Sequence, residues 1–392
     1  MMHPTHKQLF EITEEQLETG LRGYPVGYCV TSTVDPIKGL FYLEKPISEL
    51  AHLRPEEVIY FLTTGSLEKG SDFDNFCVQL MQRSSLSPRI RDYICSLPRE
   101  VHPMKLLVMA LEILGGIEGE NRYPEDCLNV IAKMPELVAT IINYHAGWGE
   151  TPHSKPELGY MENFAHMLNV PKLKHSEKFT EVLKIFNILH YDHGGGNLSA
   201  FVGKAVASGL EDMYGSLAAA MCALAGPRHG RANQDALDFV KSIHDQVRDQ
   251  EDADEVEQVV RDRLSHGGLV FGFGHAVLRA EDSRATVLYD VAKKFFPKNS
   301  LVKTALFLRE RGPVVLKENP KIQNPYPNVD AISGTLLCAA GFDFPEYFTV
   351  LFGLSRIVGI ARQIVYERCE ARGGKGTPIV RPKYLFKSNR SR

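Results

Sequence analysis

The chain has 392 residues, 44% of them hydrophobic and 24% charged. That suits a globular protein with a sizeable core and, at this length, two domains. The 45 basic and 48 acidic residues leave a formal net charge of −3, so neither nucleic acid nor an anionic membrane is expected as a general partner.

In chain order, Met1 to Lys7 has no apolar signal core, and Glu11, Glu14 and Glu15 argue against a transit peptide. No apolar run reads as long enough to span a bilayer. Seven scattered cysteines without a CxxC pair read as free thiols in a reducing compartment. A cytoplasmic enzyme is therefore expected. Residues Tyr28–Val34 and Leu40–Leu43 flank Asp35–Gly39, which predicts a small hairpin. Leu106, Leu107, Ala110, Leu111 and Leu114 follow helical spacing, closed by Gly115-Gly116 as a stop signal. Phe179 to Leu189 and Leu198 to Val206 carry two more apolar stripes. The charged stretch from Arg248 to Arg263 predicts a solvated helix face in an outer layer. Ile357, Ile360, Ala361 and Ile364 mark a last helix that ends near Gly373-Gly374. No strand–helix alternation is present, so the fold class is mainly α.

Four segments break the helical pattern. His190-Tyr191-Asp192-His193 precedes a glycine run and Asn197; it reads either as a turn with satisfied histidines or as a metal site. His229, in Gly226-Pro227-Arg228-His229-Gly230, follows a small-residue helix that can pack closely. Gly272-Phe273-Gly274-His275, followed by Arg279, Asp282 and Arg284, reads either as an anion-binding loop or as a glycine turn with surface arginines. Asp330 follows Asn324-Pro325-Tyr326-Pro327-Asn328-Val329, at the start of an apolar stretch. There it serves as a helix cap or as an ionised base. Arg356 and Arg381 stand alone in the sequence.

Taken in order, these motifs resemble the citrate synthases. They are His-x-Asp-His-x-Gly-Gly-Asn, Gly-Pro-x-His-Gly, Gly-x-Gly-His-Ala-Val-Leu-Arg, Pro-Asn-Val-Asp-x-x-Ser-Gly and Phe-Gly-x-Ser-Arg, and the resemblance runs from about Gly20 to Pro382. It implies condensation of acetyl-CoA with oxaloacetate and water to give citrate and CoA. Asp330 would be the base, His229 the partner of the thioester oxygen and His275 the group that polarises the ketone. His193, Asn197, Arg284, Arg356 and Arg381 would hold the substrate carboxylates. Gly272, Phe273, Gly274, Arg279 and Lys321 would meet coenzyme A, a co-substrate, with no permanently bound cofactor and no metal. The resemblance also implies a homodimer in which Arg381 reaches the neighbouring site. The large domain would be residues 1–230 and 342–392, the small domain 231–341. The chain departs from the family at Gly194 (often Glu), Tyr191 (often small), Arg228 (often Leu), Gln323 (sometimes Lys) and Leu43-Glu44-Lys45-Pro46. Tyr191 and Arg228 are expected to bear on the pocket shapes. The N-terminus reads as too short for the extra domain of NADH-inhibited members. The rivals are 2-methylcitrate synthase acting on propionyl-CoA, a CoA-binding scaffold without turnover, and a metallohydrolase using His190, Asp192 and His193. One methylene discriminates by only about 1–3 kcal/mol, so sequence does not separate the first of these.

Overall fold

The computed structural model describes residues 10–387, apart from 21, 172, 174, 175, 228 and 248–251. Among them the fold is mainly α, as the periodicity predicts. A 3-10 turn (Glu14–Glu18) leads to β1 (Ser32–Asp35), β2 (Gly39–Tyr42) and β3 (Lys45–Pro46). The helices are α1 (Ile47–Leu50), α2 (Pro55–Thr64), α3 (Ser71–Gln82), α4 (Pro88–Cys95), α5 (Pro103–Glu118), α6 (Tyr123–Ala146), α7 (Tyr160–Met167), α8 (Glu177–Leu189), α9 (Leu198–Ala207), α10 (Met213–Leu224), α11 (Ala232–Gln246), α12 (Ala253–Ser265), α13 (Ser283–Phe295), α14 (Ser300–Leu316), α15 (Asp330–Ala339) and α16 (Phe348–Val365). A π-helical turn, Tyr366–Glu370, ends the last of these.

The hairpin forms where expected. Asp35 Oδ1 accepts the amides of Ile37 (2.9 Å) and Lys38 (2.7 Å), which closes the turn. Residues 28–31, read as strand, lie outside the three-stranded sheet of the described residues, and Tyr28 is 79% exposed. The third strand is only Lys45-Pro46, too short and too proline-bearing to be read from sequence. The hairpin docks on the start of α13, where the Leu40 amide donates to Ser283 Oγ (3.1 Å). Nearby, the Arg279 amide donates to the Pro36 carbonyl (2.7 Å).

Helix starts follow the local chemistry. Ser176, Asn197, Asp212, Asp282 and Asn299 each accept an amide of the first turn of α8, α9, α10, α13 and α14. The glycine stop in α5 is a misreading, because the helix runs through Gly115-Gly116 to Glu118. Gly115 is there for packing: a Cβ on it would lie 2.5 Å from Tyr214 Cβ on α10. Helix α10 lies against both α5 and α9, and α16 lies against α6, α9 and α10. Helices α11 to α15 pack chiefly on one another, with α8 touching α13 and α15.

Helix α16 and the turns flanking it are long and apolar enough to cross a membrane, contrary to the sequence reading, but 89% of the apolar window is buried inside the protein. It is a core helix. The apolar stripe of α9 is only partly covered, with Phe201, Val202, Ala205 and Val206 half-buried. The buried positions are Ser199, Ala200, Gly203, Lys204 and Ala207, while Leu198 is 53% exposed. Charged α12 buries only Val256 and Val260, against α14, as a solvated face should; residues 248–251 of that run lie outside the described residues.

Gly115 and Gly116 give a paired prediction. Gly115→Ala should lower stability by about 1–3 kcal/mol through overpacking against Tyr214. Gly116→Ala meets no atom within 4 Å and should raise stability by up to about 1 kcal/mol. Opposite shifts in Tm from adjacent glycines are the expected result.

Candidate active site

Helix α8 ends in the His190–His193 turn. His190 stacks on Phe186 (4.1 Å between ring centroids) and meets Phe352 edge-on (4.9 Å), with Nδ1 at 2.7 Å from the Phe186 carbonyl. Burial pushes its pKa down to about 3, so it is a neutral packing group. Asp192 is fully buried. It accepts the Thr31 hydroxyl, the Ser32 hydroxyl (2.8 Å), the Gln363 amide (2.8 Å) and the His193 N–H (2.8 Å). Gly359 of α16 makes room for it, since a Cβ there would sit 2.6 Å from Asp192 Cβ. His190, Asp192 and His193 therefore face different partners and do not form the metal site that the sequence left open.

Asn197 turns inward. Its Oδ1 accepts the Ala200 amide and its Nδ2 donates to the Gly194 carbonyl (2.7 Å), shaping the glycine turn. Tyr191 is wholly buried, and its charge coupling is to Tyr160, Glu56 and Tyr42 in the interior. Its ring belongs to the hydrophobic core. Arg228 lies outside the described residues.

His193 and His275 meet with ring centroids 5.2 Å apart, and His193 Nε2 is buried with no hydrogen-bond partner among the described residues. His275 Nδ1 accepts the amides of Val277 and Leu278 (3.0 Å each), which assigns the ring proton to Nε2. Burial, with Arg284 adding to it, lowers the pKa of His275. Ligand-capable atoms of His193, His275 and Asp282 lie within 4.8 Å of one another. Asp282, however, commits both oxygens to Arg284 (Nε 3.1 Å, guanidinium nitrogen 2.7 Å). Residues 272–274 and 326–328 run side by side, with Gly274 N–H to the Tyr326 carbonyl and Asn328 N–H to the Gly272 carbonyl, both 2.9 Å. A Cβ on Gly272 would lie 2.6 Å from Ala331 Cα, so the loop can sit this close to α15 only with glycine there.

Asp330 is the first residue of α15. Burial pushes its pKa up to about 6 against the attraction of Arg284 and Arg356, with Asp282 adding to the rise. His229 Nε2 accepts the Ser199 amide (3.3 Å) and lies 3.0 Å from Ser199 Oγ, which assigns its proton to Nδ1. Burial, then Arg356, lowers its pKa to about 4. Arg356 is 2% exposed, donates Nε to the His190 carbonyl (3.0 Å) and lies 4.8 Å from the Phe352 ring. It forms no ion pair among the described residues, and burial lowers its pKa to about 10. A buried guanidinium without a carboxylate is a ready anion site.

The sequence-selected residues thus divide. His193, His229, His275, Arg284, Arg356 and Asp330 share one charged neighbourhood. Arg279 is exposed on the same loop and bends its guanidinium onto the carbonyls of residues 275–278. Lys321 is exposed, and Arg381 is exposed on the C-terminal segment. Sequence reasoning gave no role to Thr31, Ser32, Ser199, Asp282 or Gln363. Only Asp282 had a visible signal, as an Asp at a helix start.

The family model described as "Citrate synthase, C-terminal domain" matches residues 20–383. The chain belongs to the citrate synthase family. It is 32% identical to the peroxisomal citrate synthase of Saccharomyces cerevisiae over 96% of this chain and 85% of that protein. It is 34% identical to citrate synthase 4, mitochondrial, of Arabidopsis thaliana over 96% of this chain and 82% of that protein. The Thermotoga maritima citrate synthase structure superposes with a TM-score of 0.80 at 27% identity, covering 95% of this chain and 96% of the other. A Thermoplasma acidophilum citrate synthase, described as a ternary complex with carboxymethyl coenzyme A and oxaloacetate, has a TM-score of 0.81 at 23% identity, covering 95% and 97%. The chain is accordingly an acyltransferase of the citrate synthase type.

The raised pKa of Asp330 has a stability consequence. The folded state binds this proton more tightly than the unfolded chain does, so stability is present at low pH and is lost as pH rises from 3.8 through about 6. Asp330→Asn removes that cost. At pH 8 it should stabilise the protein, by at most roughly 3 kcal/mol, with the gain shrinking toward pH 4. Thermal unfolding of both proteins across that range checks it.

Proposed function

We propose that the chain condenses acetyl-CoA with oxaloacetate and water to give citrate and CoA. One observation carries this reading. A desolvated carboxylate and two neutral imidazoles, each with a ring N–H that meets no partner among the described residues, gather around Arg284 and Arg356. The fold neighbour described with carboxymethyl coenzyme A and oxaloacetate supports the same pair of ligands.

Asp330 takes a proton from the acetyl methyl group. That carbon acid is far weaker than a carboxylic acid, so the electron pair must be received at the thioester oxygen. His229 supplies its Nδ1–H there. The enol carbon then attacks the ketone carbon of oxaloacetate, whose oxygen takes the proton from His275 Nε2. Water cleaves the C–S bond of the resulting thioester, releasing the thiol of CoA and a third carboxylate. His193, Arg284 and Arg356 hold the substrate carboxylates, and Arg279 and Lys321 meet the phosphates of CoA. The Arg284 fork is paired with Asp282, so the substrate meets its remaining nitrogen or competes for the pair. The mutual packing of α11 to α15 supports a small domain of residues 231–341 closing on a large domain of residues 1–230 and 342–392.

A homodimer completes the reading. The partly covered apolar stripe of α9, which leaves Leu198 53% exposed, offers apolar surface that a second copy would cover. Arg381, exposed in its own protomer, then reaches the neighbouring site. Arg381→Ala and Asp330→Asn subunits, each inactive alone, should regain citrate formation when co-expressed, because a mixed dimer holds one intact site. Absence of that rescue would remove Arg381 from the partner's site.

The acyl group is tested by comparing kcat/KM for acetyl-CoA and propionyl-CoA. The expected order favours acetyl-CoA, and the reverse order would make the chain a 2-methylcitrate synthase. Asp330→Ala should abolish oxaloacetate-dependent thiol release while remaining folded.

A further inference from the structure

The paired segments 272–274 and 326–328 end on a side chain that has no part in the catalytic trio. Asn328 Nδ2 donates to the Gly274 carbonyl (2.9 Å), and Asn328 Oδ1 accepts the Asp330 N–H (2.9 Å). Gly274 is the residue immediately before His275, and Asp330 is the base itself. One carboxamide therefore joins the backbone that carries the ketone-polarising group to the backbone that carries the base. Backbone bonds from Asn328 N–H to Gly272 and from Gly274 N–H to Tyr326 hold the same two segments, so the amide is fixed at its own end as well.

We propose that Asn328 is a positioning residue that sets the separation of His275 and Asp330 through these two hydrogen bonds. The inference rests on the acid–base reading given above. The geometry is demanding of residue type. The bridge needs a donor and an acceptor about one carbon beyond Cβ, which asparagine supplies. Aspartate offers two acceptors, serine and threonine are too short to span both groups, and glutamine is one methylene too long. Asp330 is faced by Asp282 and Arg284 at the start of α13 and by Arg356 on α16, so a charge at position 328 would register on it.

The test uses purified full-length Asn328→Ala and Asn328→Asp, with Asp330→Asn as reference. Both Asn328 variants should melt close to the parent and keep KM for both substrates near its values. Their kcat should fall about 10- to 100-fold, the scale expected for misplaced catalytic groups. Asn328→Asp keeps the acceptor for the Asp330 amide but turns a carboxylate toward the Gly274 carbonyl. The acid limb of its kcat/KM profile should move to higher pH, and that of Asn328→Ala should not. A purely structural role would not produce this split. The inference is overturned if both variants keep kcat within about threefold of the parent, if the loss tracks a loss of folded protein, or if the acid limb of Asn328→Asp stays in place. Should Asp330→Asn prove active, the acid–base reading fails instead; inactive Asp330→Asn beside parent-like Asn328 variants sinks this inference alone.

Discussion

The buried carboxylate of Asp192 is the constraint on which the site rests. A charge removed from water must be met by donors, and its donors come from two distant stretches of chain, Thr31 and Ser32 at the hairpin and Gln363 on α16, and from the adjacent amide of His193. Burial still raises its pKa, so the network offsets only part of the cost. What the network fixes is position. It holds the turn that presents His193 beside His275, and Arg356 donates to the carbonyl of His190 in the same turn. Loss of one donor would leave the others arranged around a half-satisfied charge.

Above that base the electrostatics are asymmetric. His190, His193, His229 and His275 are all held neutral by burial, and Arg284 or Arg356 reinforces the effect at each. The positive charge in the cleft belongs to arginines, which do not release protons at working pH. The imidazoles are left free to give or share a proton. Asp330 feels burial in one direction and the arginines in the other, and settles at about 6. At neutral pH it is mostly ionised yet close enough to its pKa to hold a proton in turn.

Much of this was legible in the sequence. The helical class, the hairpin turn at Asp35–Gly39 and the motif order carried the family, and Asp330 at a helix start was read correctly in position. The misreadings share a cause. Gly115-Gly116 was taken as local punctuation, when Gly115 is needed for close contact with Tyr214, far along the chain. Thr31, Ser32 and Gln363 carry no local signal because their importance lies in reaching Asp192 about 160 to 170 residues away.

The docking of the hairpin on Ser283 and Arg279 bears on the order in which the molecule can be made. A ribbon of a few residues per strand is marginal by itself. Its partners lie some 240 residues further along the chain, and the helix that brings Arg356 and Gln363 comes later still. During synthesis the first ordered segment of the sequence must therefore wait, loosely held, for nearly the last. The hairpin and α16 meet around Asp192, so a protein cut between α15 and α16 would keep His193, His229, His275 and Asp330 in its sequence yet lose Arg356 and the Gln363 donor to Asp192.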